Sequence, residues 1–243
     1  MDLWTIGTIT FDWTFLTALF NIVVINVILS GDNAVCIALA VRSLPPEQRK
    51  KGILLGAGAA IVLRVVLTFF VAHLLEVHFL KLVGGILICW IAVKLFLEGA
   101  PEAADSKHAT SIMQALKIIL IADITMSLDN MLAVGAASHG NLFLLLFGLG
   151  SSIPFVIFTS NLLSQLMEKY PAVIYLGAAI LGKVGGEMII TDPFVANLIA
   201  NSIGYREMFQ YAVEGLFATG VILVGKIWMQ SMMNRQKNRP SLP

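Results

Sequence analysis

Three aspartates, Asp32, Asp123 and Asp129, lie inside apolar runs long enough to cross a bilayer. About 20 apolar residues span the hydrocarbon core. Seven runs reach that length, near residues 13–41, 52–75, 79–98, 111–138, 142–167, 172–190 and 211–233. An aspartate at the centre of such a helix costs roughly 2.5–3.5 kcal/mol on insertion scales, so it normally faces a protein interior or a wet cavity and marks an ion or proton path. The composition agrees with a membrane protein. The chain is 58% apolar and only 13% charged, with a mean hydropathy of +0.85, whereas about a quarter of a soluble domain is charged. A net charge of +1 gives no reason to expect a nucleic-acid partner. Cys36 and Cys89 sit in apolar runs and read as small core residues, with no disulfide framework. The start, MDLWTIGTITFDW, has no basic segment, so the first run is expected to stay as a transmembrane helix.

Basic residues in short loops set orientation. One side carries Arg42, Arg49, Lys50, Lys51, Lys107, Lys169, Arg235, Lys237 and Arg239, and the other only Lys81 and Arg206. The expected topology places the N-terminus outside and the C-terminus in the cytoplasm of a cell (inner) membrane. The Asp192–Pro193 turn opens a less apolar stretch that is expected to hold a short interfacial helix. Residues 99–110, GAPEAADSKHAT, form the most loop-like cytoplasmic segment and are too short for a domain.

The chain repeats itself. NVILSGDNAVCIALA, from Asn26 to Ala40, aligns with DITMSLDNMLAVGAA, from Asp123 to Ala137. Ser30, Asp32 and Asn33 fall on Ser127, Asp129 and Asn130, and Asn26 falls on Asp123. GAGAA (Gly56–Ala60) resembles GLGSS (Gly148–Ser152), and Lys94 with Glu98 matches Lys183 with Glu187. The expected fold is all-α: one polytopic domain over 1–243, with seven transmembrane helices. Two three-helix repeats, about 13–98 and 111–190, are followed by a seventh helix near 211–233. Three is odd, so the second repeat enters from the opposite side, the inverted arrangement of many transporters.

Helical spacing puts Asn26, Ser30 and Asn33 on one face, at i, i+4 and i+7, and likewise Asp123, Ser127 and Asn130. Asp32 and Asp129 sit one residue earlier, about 100° away. A break at Ser30–Gly31 would swing Asp32 toward the stripe and free backbone carbonyls. Leu128, at the equivalent place, makes a second break less assured. The metal-site candidates are therefore Asn26, Asp32, Asn33, Asp123, Asp129 and Asn130. All are oxygen donors, with no cysteine expected among them, which suits hard cations such as Mn²⁺, Mg²⁺ or Ca²⁺. The alternatives are aspartates that merely hydrogen-bond within a helix interface, and a proton relay without metal. Arg64, in the second run, is expected to be a structural partner of an aspartate or of backbone carbonyls; its other reading is a cation that neutralises an aspartate. The Lys94–Glu98 and Lys183–Glu187 pairs read as structural, and Pro154 with Ser151 and Ser152 is expected to kink the fifth run.

LSGDNAVCIALAVRSLPPEQRKKGILLGAGAAIVLRVV, together with SLDNMLAVGAASHGN, resembles the TerC family of integral membrane proteins, most closely its short, YjbE-like branch. The resemblance covers about residues 15–233. It implies seven helices, manganese efflux, and acidic motifs lining the cation site at Asp32, Asn33, Asp129 and Asn130, with Asp123 a turn earlier. Asn26, where the second repeat has Asp, departs from symmetry. The expected function is a secondary transporter, not an enzyme, exporting Mn²⁺ as substrate by alternating access. It would have no cofactor, and would exchange a proton or sodium ion for the metal. No nucleotide-binding motif is present to power transport. Two further readings stand beside it: a scaffold that hands metal to exported proteins with little flux of its own, and an amino-acid exporter of the lysine-exporter type. The expected partners are the divalent metal and the lipid bilayer, and a homo-oligomer is left open.

Overall fold

A computed structural model of the chain describes residues 13–75, 79–99, 111–137, 142–200 and 206–237. In lipid every backbone N–H and C=O must be satisfied within the protein, and the described segments do so as helices. In chain order they are α1 (Trp13–Leu29), α2 (Gly31–Arg42), α3 (Pro46–Leu75), α4 (Leu80–Gly99), α5 (Ile112–Ala137), α6 (Leu142–Lys169), α7 (Ala172–Thr191), α8 (Pro193–Ala200) and α9 (Arg206–Lys237).

Among the described residues, five helices are long and apolar enough to cross a membrane: α3, α4, α6, α7 and α9. A sixth such element is the pair α1–α2, bent by 40° at its break. The break falls at Ser30, between the end of α1 and the start of α2 at Gly31, where the sequence suggested it. α5 runs unbroken through Ser127 and Leu128, so the two related segments differ in backbone shape. α6 likewise runs as one helix through Pro154. The hydroxyls of Ser151 and Ser152 donate to the carbonyls of Gly148 and Leu149, at 2.7 and 2.8 Å, in the turn before the proline.

Large apolar side chains, among them Phe20, Ile28, Val62, Phe158 and Leu216, are exposed along the bundle's flanks. A surface of this kind suits lipid, not water. α2 is the opposite: every residue from Asn33 to Val41 is buried, because α3, α5, α6 and α7 surround it.

Packing partners exchange between the halves. α3 lies on α5, α6 lies on α1 and α2, and α4 lies on α7. The α4–α7 crossing is close because glycines meet there. A β-carbon on Gly85 would sit 2.5 Å from the Gly185 carbonyl, and one on Gly185 would sit 2.9 Å from the Gly85 carbonyl. Small residues allow this backbone approach where no hydrophobic force draws helices together. α9 packs outside, against α7 and α4.

Asp192, fully buried, starts α8: its carboxylate accepts the amides of Phe194 at 3.0 Å and of Leu82 in α4 at 3.1 Å. Phe79 and Phe194 meet edge-on at 5.0 Å, so this short helix is pinned to the start of α4. At the other end Arg49 and Glu168 form an ion pair at 2.8 Å, and Arg42 donates to the Met167 carbonyl at 3.4 Å. Lys183 lies 3.6 Å from Glu187, as its spacing suggested, and also 3.4 Å from the buried Glu214 of α9. Lys94 sits over the Trp90 ring.

Candidate cation site

The repeated stripes fold alike at one position and differently at another. In both, the serine hydroxyl donates back to the carbonyl four residues earlier: Ser30 to Asn26, at 2.5 Å, and Ser127 to Asp123. Back-bonding of this kind bends helices. All four residues are buried.

The side chains at 26 and 123 choose different partners. The Asn26 amide donates to the Gly148 carbonyl of α6, and its Oδ1 has no partner among the described residues. Asp123 instead meets Arg64 of α3: Nη2 to Oδ1 is 2.5 Å, with both side chains only 5% exposed. Its Oδ2 accepts from the Ser127 hydroxyl at 3.0 Å. A buried carboxylate needs such pairing, since a lone buried charge is prohibitively costly. Arg64 thus pairs with one specific aspartate, a contact that both readings of this residue share.

Asn33 and Asn130, both buried, turn to the break itself. Each donates to the Leu29 carbonyl, at 3.2 and 3.4 Å. That carbonyl belongs to the last turn of α1, whose carbonyls lack ordinary helical partners.

Between α2 and α5 lies a small cavity, with a volume of about 10 Å³ for a water-sized sphere. That is about the minimum for one water, and so for one small ion. From α2 its wall takes Asn33, Cys36 and Ile37; from α5 it takes Ile119, Ala122, Asp123 and Met126. Asn33 and Asp123, from the two different stripes, therefore share one cavity.

Asp32 does not join them on that wall. It is half-buried in the first turn of α2, where its Oδ1 accepts the Asn33 amide at 2.8 Å. An acidic residue there is favoured by the helix dipole. Asp129 is on α5, and its side chain lies outside the described residues. Among the described residues, no three His, Cys, Asp or Glu side chains gather as a metal-holding group.

Two wall residues that carry sulfur donors were not among the sequence candidates. Cys36 is buried, as expected, yet it faces the same space as Asp123, so the site is not lined by oxygen donors alone. Met126 lies opposite on α5. Helical spacing was the available signal: Cys36 and Met126 each follow a stripe residue, Asn33 or Asp123, by three positions.

The family described as "Integral membrane protein TerC family" matches residues 11–234. The membrane protein YjbE of Bacillus subtilis (strain 168) is 42% identical over 181 residues, covering 73% of this chain and 81% of YjbE. YkoY, a membrane protein of the same organism, is 24% identical over 87% of this chain and 73% of its own length. The inner membrane protein YoaE of Escherichia coli (strain K12) is 23% identical over 91% of this chain and 45% of its own length. No solved structure matches the chain. A family match over nearly the whole length, joined to a helical bundle with an apolar outer surface, makes this chain a multi-pass integral membrane protein of the TerC family.

Proposed function

We propose that the chain is a secondary transporter that exports divalent metal, Mn²⁺ foremost, from the cytoplasm by alternating access. The observation that carries this reading is Asp123. It is a carboxylate buried within a bundle of membrane helices, on the wall of a cavity shared with Asn33, whose side-chain amide donates to the carbonyl at the α1–α2 break. Intramembrane carboxylates at such depth mark ion paths, and broken helices with freed carbonyls are where transporters hold ions.

The exchange of packing partners between the halves supports two inverted repeats, with α5 as one of seven crossings. The loop charges support a cell-membrane topology with the C-terminus in the cytoplasm.

In this reading Arg64 and the metal compete for Asp123. With Arg64 on Oδ1 the site is charge-balanced without cargo; with metal bound, Arg64 yields its place. A proton or sodium ion would exchange for the metal, since the chain carries no nucleotide motif to drive uphill flux.

The test is Mn²⁺ flux in proteoliposomes and everted vesicles, with Mg²⁺, Ca²⁺ and Zn²⁺ as competitors. The parent protein moves Mn²⁺, and Asp123→Asn and Asp129→Asn each stop it. Equal flux in the parent and both variants would overturn the site.

A further inference from the structure

We infer that the cavity between α2 and α5 offers sulfur as well as oxygen to its cation, and that Met126 and Cys36 make it discriminate against Mg²⁺ and Ca²⁺. The inference rests on the metal-transport reading above and deepens it by naming the class of metal admitted.

Four of the seven side chains on the wall carry donor atoms: Asn33, Cys36, Asp123 and Met126. Two of the four are sulfur. Carboxylate and amide oxygens serve Mg²⁺, Ca²⁺ and Mn²⁺ alike, whereas thioether and thiolate favour softer transition metals. Mg²⁺ demands near-ideal octahedral oxygen ligation and sheds its waters reluctantly, and Ca²⁺ takes six to eight oxygens. The cavity has room for about one water-sized particle, so an ion inside lies against these side chains. Asn33 and Asp123 offer at most three side-chain oxygens, short of the six to eight that Ca²⁺ takes, and the wall's other two donors are sulfur. The wall can give a mixed set to Mn²⁺, Fe²⁺, Co²⁺ or Cd²⁺.

The placement is specific in a second way. The thioether is neutral, so Met126 adds a ligand without adding charge to a site where Arg64 already balances Asp123. In the internal alignment Met126 falls on Leu29, and Cys36 on Ala133. Neither sulfur is therefore required by the helical frame that the two halves share. The competing account is that Met126 only fills space, as buried methionines often do. Leucine fills nearly the same space without the sulfur, so Met126→Leu separates the two accounts.

The experiment uses the purified full chain in lipid nanodiscs. Binding of Mn²⁺, Cd²⁺, Mg²⁺ and Ca²⁺ is measured by calorimetry for the parent, Met126→Leu, Cys36→Ser and the double variant. The parent is expected to bind Cd²⁺ and Mn²⁺ in preference to Ca²⁺ and Mg²⁺. Each single change lowers Cd²⁺ affinity by about tenfold, the lower end of what disturbing a metal's surroundings costs, and leaves thermal stability near the parent's. Co²⁺ gives an independent readout: its binding displaces the Cys36 thiol proton to the buffer, and the resulting thiolate-to-cobalt charge-transfer band is present in the parent and lost in Cys36→Ser. An unchanged Cd²⁺-to-Ca²⁺ preference in the double variant, with metal still bound, overturns the sulfur assignment alone. A parent protein that binds none of the four metals overturns the transport reading and this inference together.

Discussion

Asn33 and Asn130, which hold equivalent places in the two repeats, donate to one and the same carbonyl, that of Leu29. The two halves of the sequence thus converge on the break between α1 and α2, and the break is stitched from both sides. Because either amide can satisfy that carbonyl, the two are partly redundant. Asn33→Ala and Asn130→Ala should each cost on the order of 1 kcal/mol, while the double variant leaves a buried carbonyl without a partner at a cost of about 1–3 kcal/mol more. The double variant should therefore lose more stability than the two singles together. Denaturant unfolding in detergent measures it, and strict additivity would show that the shared carbonyl does not couple them.

Arg64 and Asp123 are each other's main charge partner in a buried site. Removing one leaves the other uncompensated, which costs about 3–5 kcal/mol. Arg64→Met is expected to destabilise the protein by that amount. Combining it with Asp123→Asn should recover most of the stability while Mn²⁺ transport stays lost. Thermal melting read beside vesicle flux distinguishes folding from function.

Asn26 cannot be replaced by the aspartate that its repeat partner carries. Its amide donates to the Gly148 carbonyl, and a carboxylate has no proton to give there. The helix-two alignment that matches Gly56 with Gly148 also matches Arg64 with Val156, so the second repeat offers no cation. Asn26→Asp should cost about 1–3 kcal/mol for the lost and unmatched groups. A melting temperature equal to the parent's would contradict this.

The α4–α7 crossing should reject even a methyl group. A β-carbon at Gly85 meets the Gly185 carbonyl at 2.5 Å and the Ile189 amide nitrogen at 3.0 Å, and backbone cannot rotate away. Gly85→Ala is expected to cost about 1–3 kcal/mol by overpacking. Gly58→Ala, with nothing within 4 Å of the new atom, should be neutral or stabilising by up to about 1 kcal/mol, since alanine favours helix. The contrast between the two melting temperatures is the check.

Much of this was legible in the chain because lipid leaves few choices. Apolar length sets the helices, and the rare charges inside them mark the interior. The break at Ser30, the short helix after Asp192 and the burial of Asn26, Asn33, Asp123 and Asn130 all follow from local sequence. Partner choice was not legible. That Arg64 would find Asp123 and not Asp32 depends on how α3 and α5 cross, which no spacing within one helix encodes. Cys36 and Met126 were hidden for a different reason. Both are common core residues whose three-residue spacing from the stripes is also that of ordinary packing, and the small cavity separates the two readings.

The seclusion of α2 has a consequence for how the protein is made. This 12-residue helix is too short to cross a bilayer alone, and its covering comes from α5, α6 and α7, which the ribosome delivers later. Until residue 191 has emerged, Asp32 and Asn33 have no finished shelter. This short segment must therefore be held at the surface or shielded until α5, α6 and α7 complete its covering.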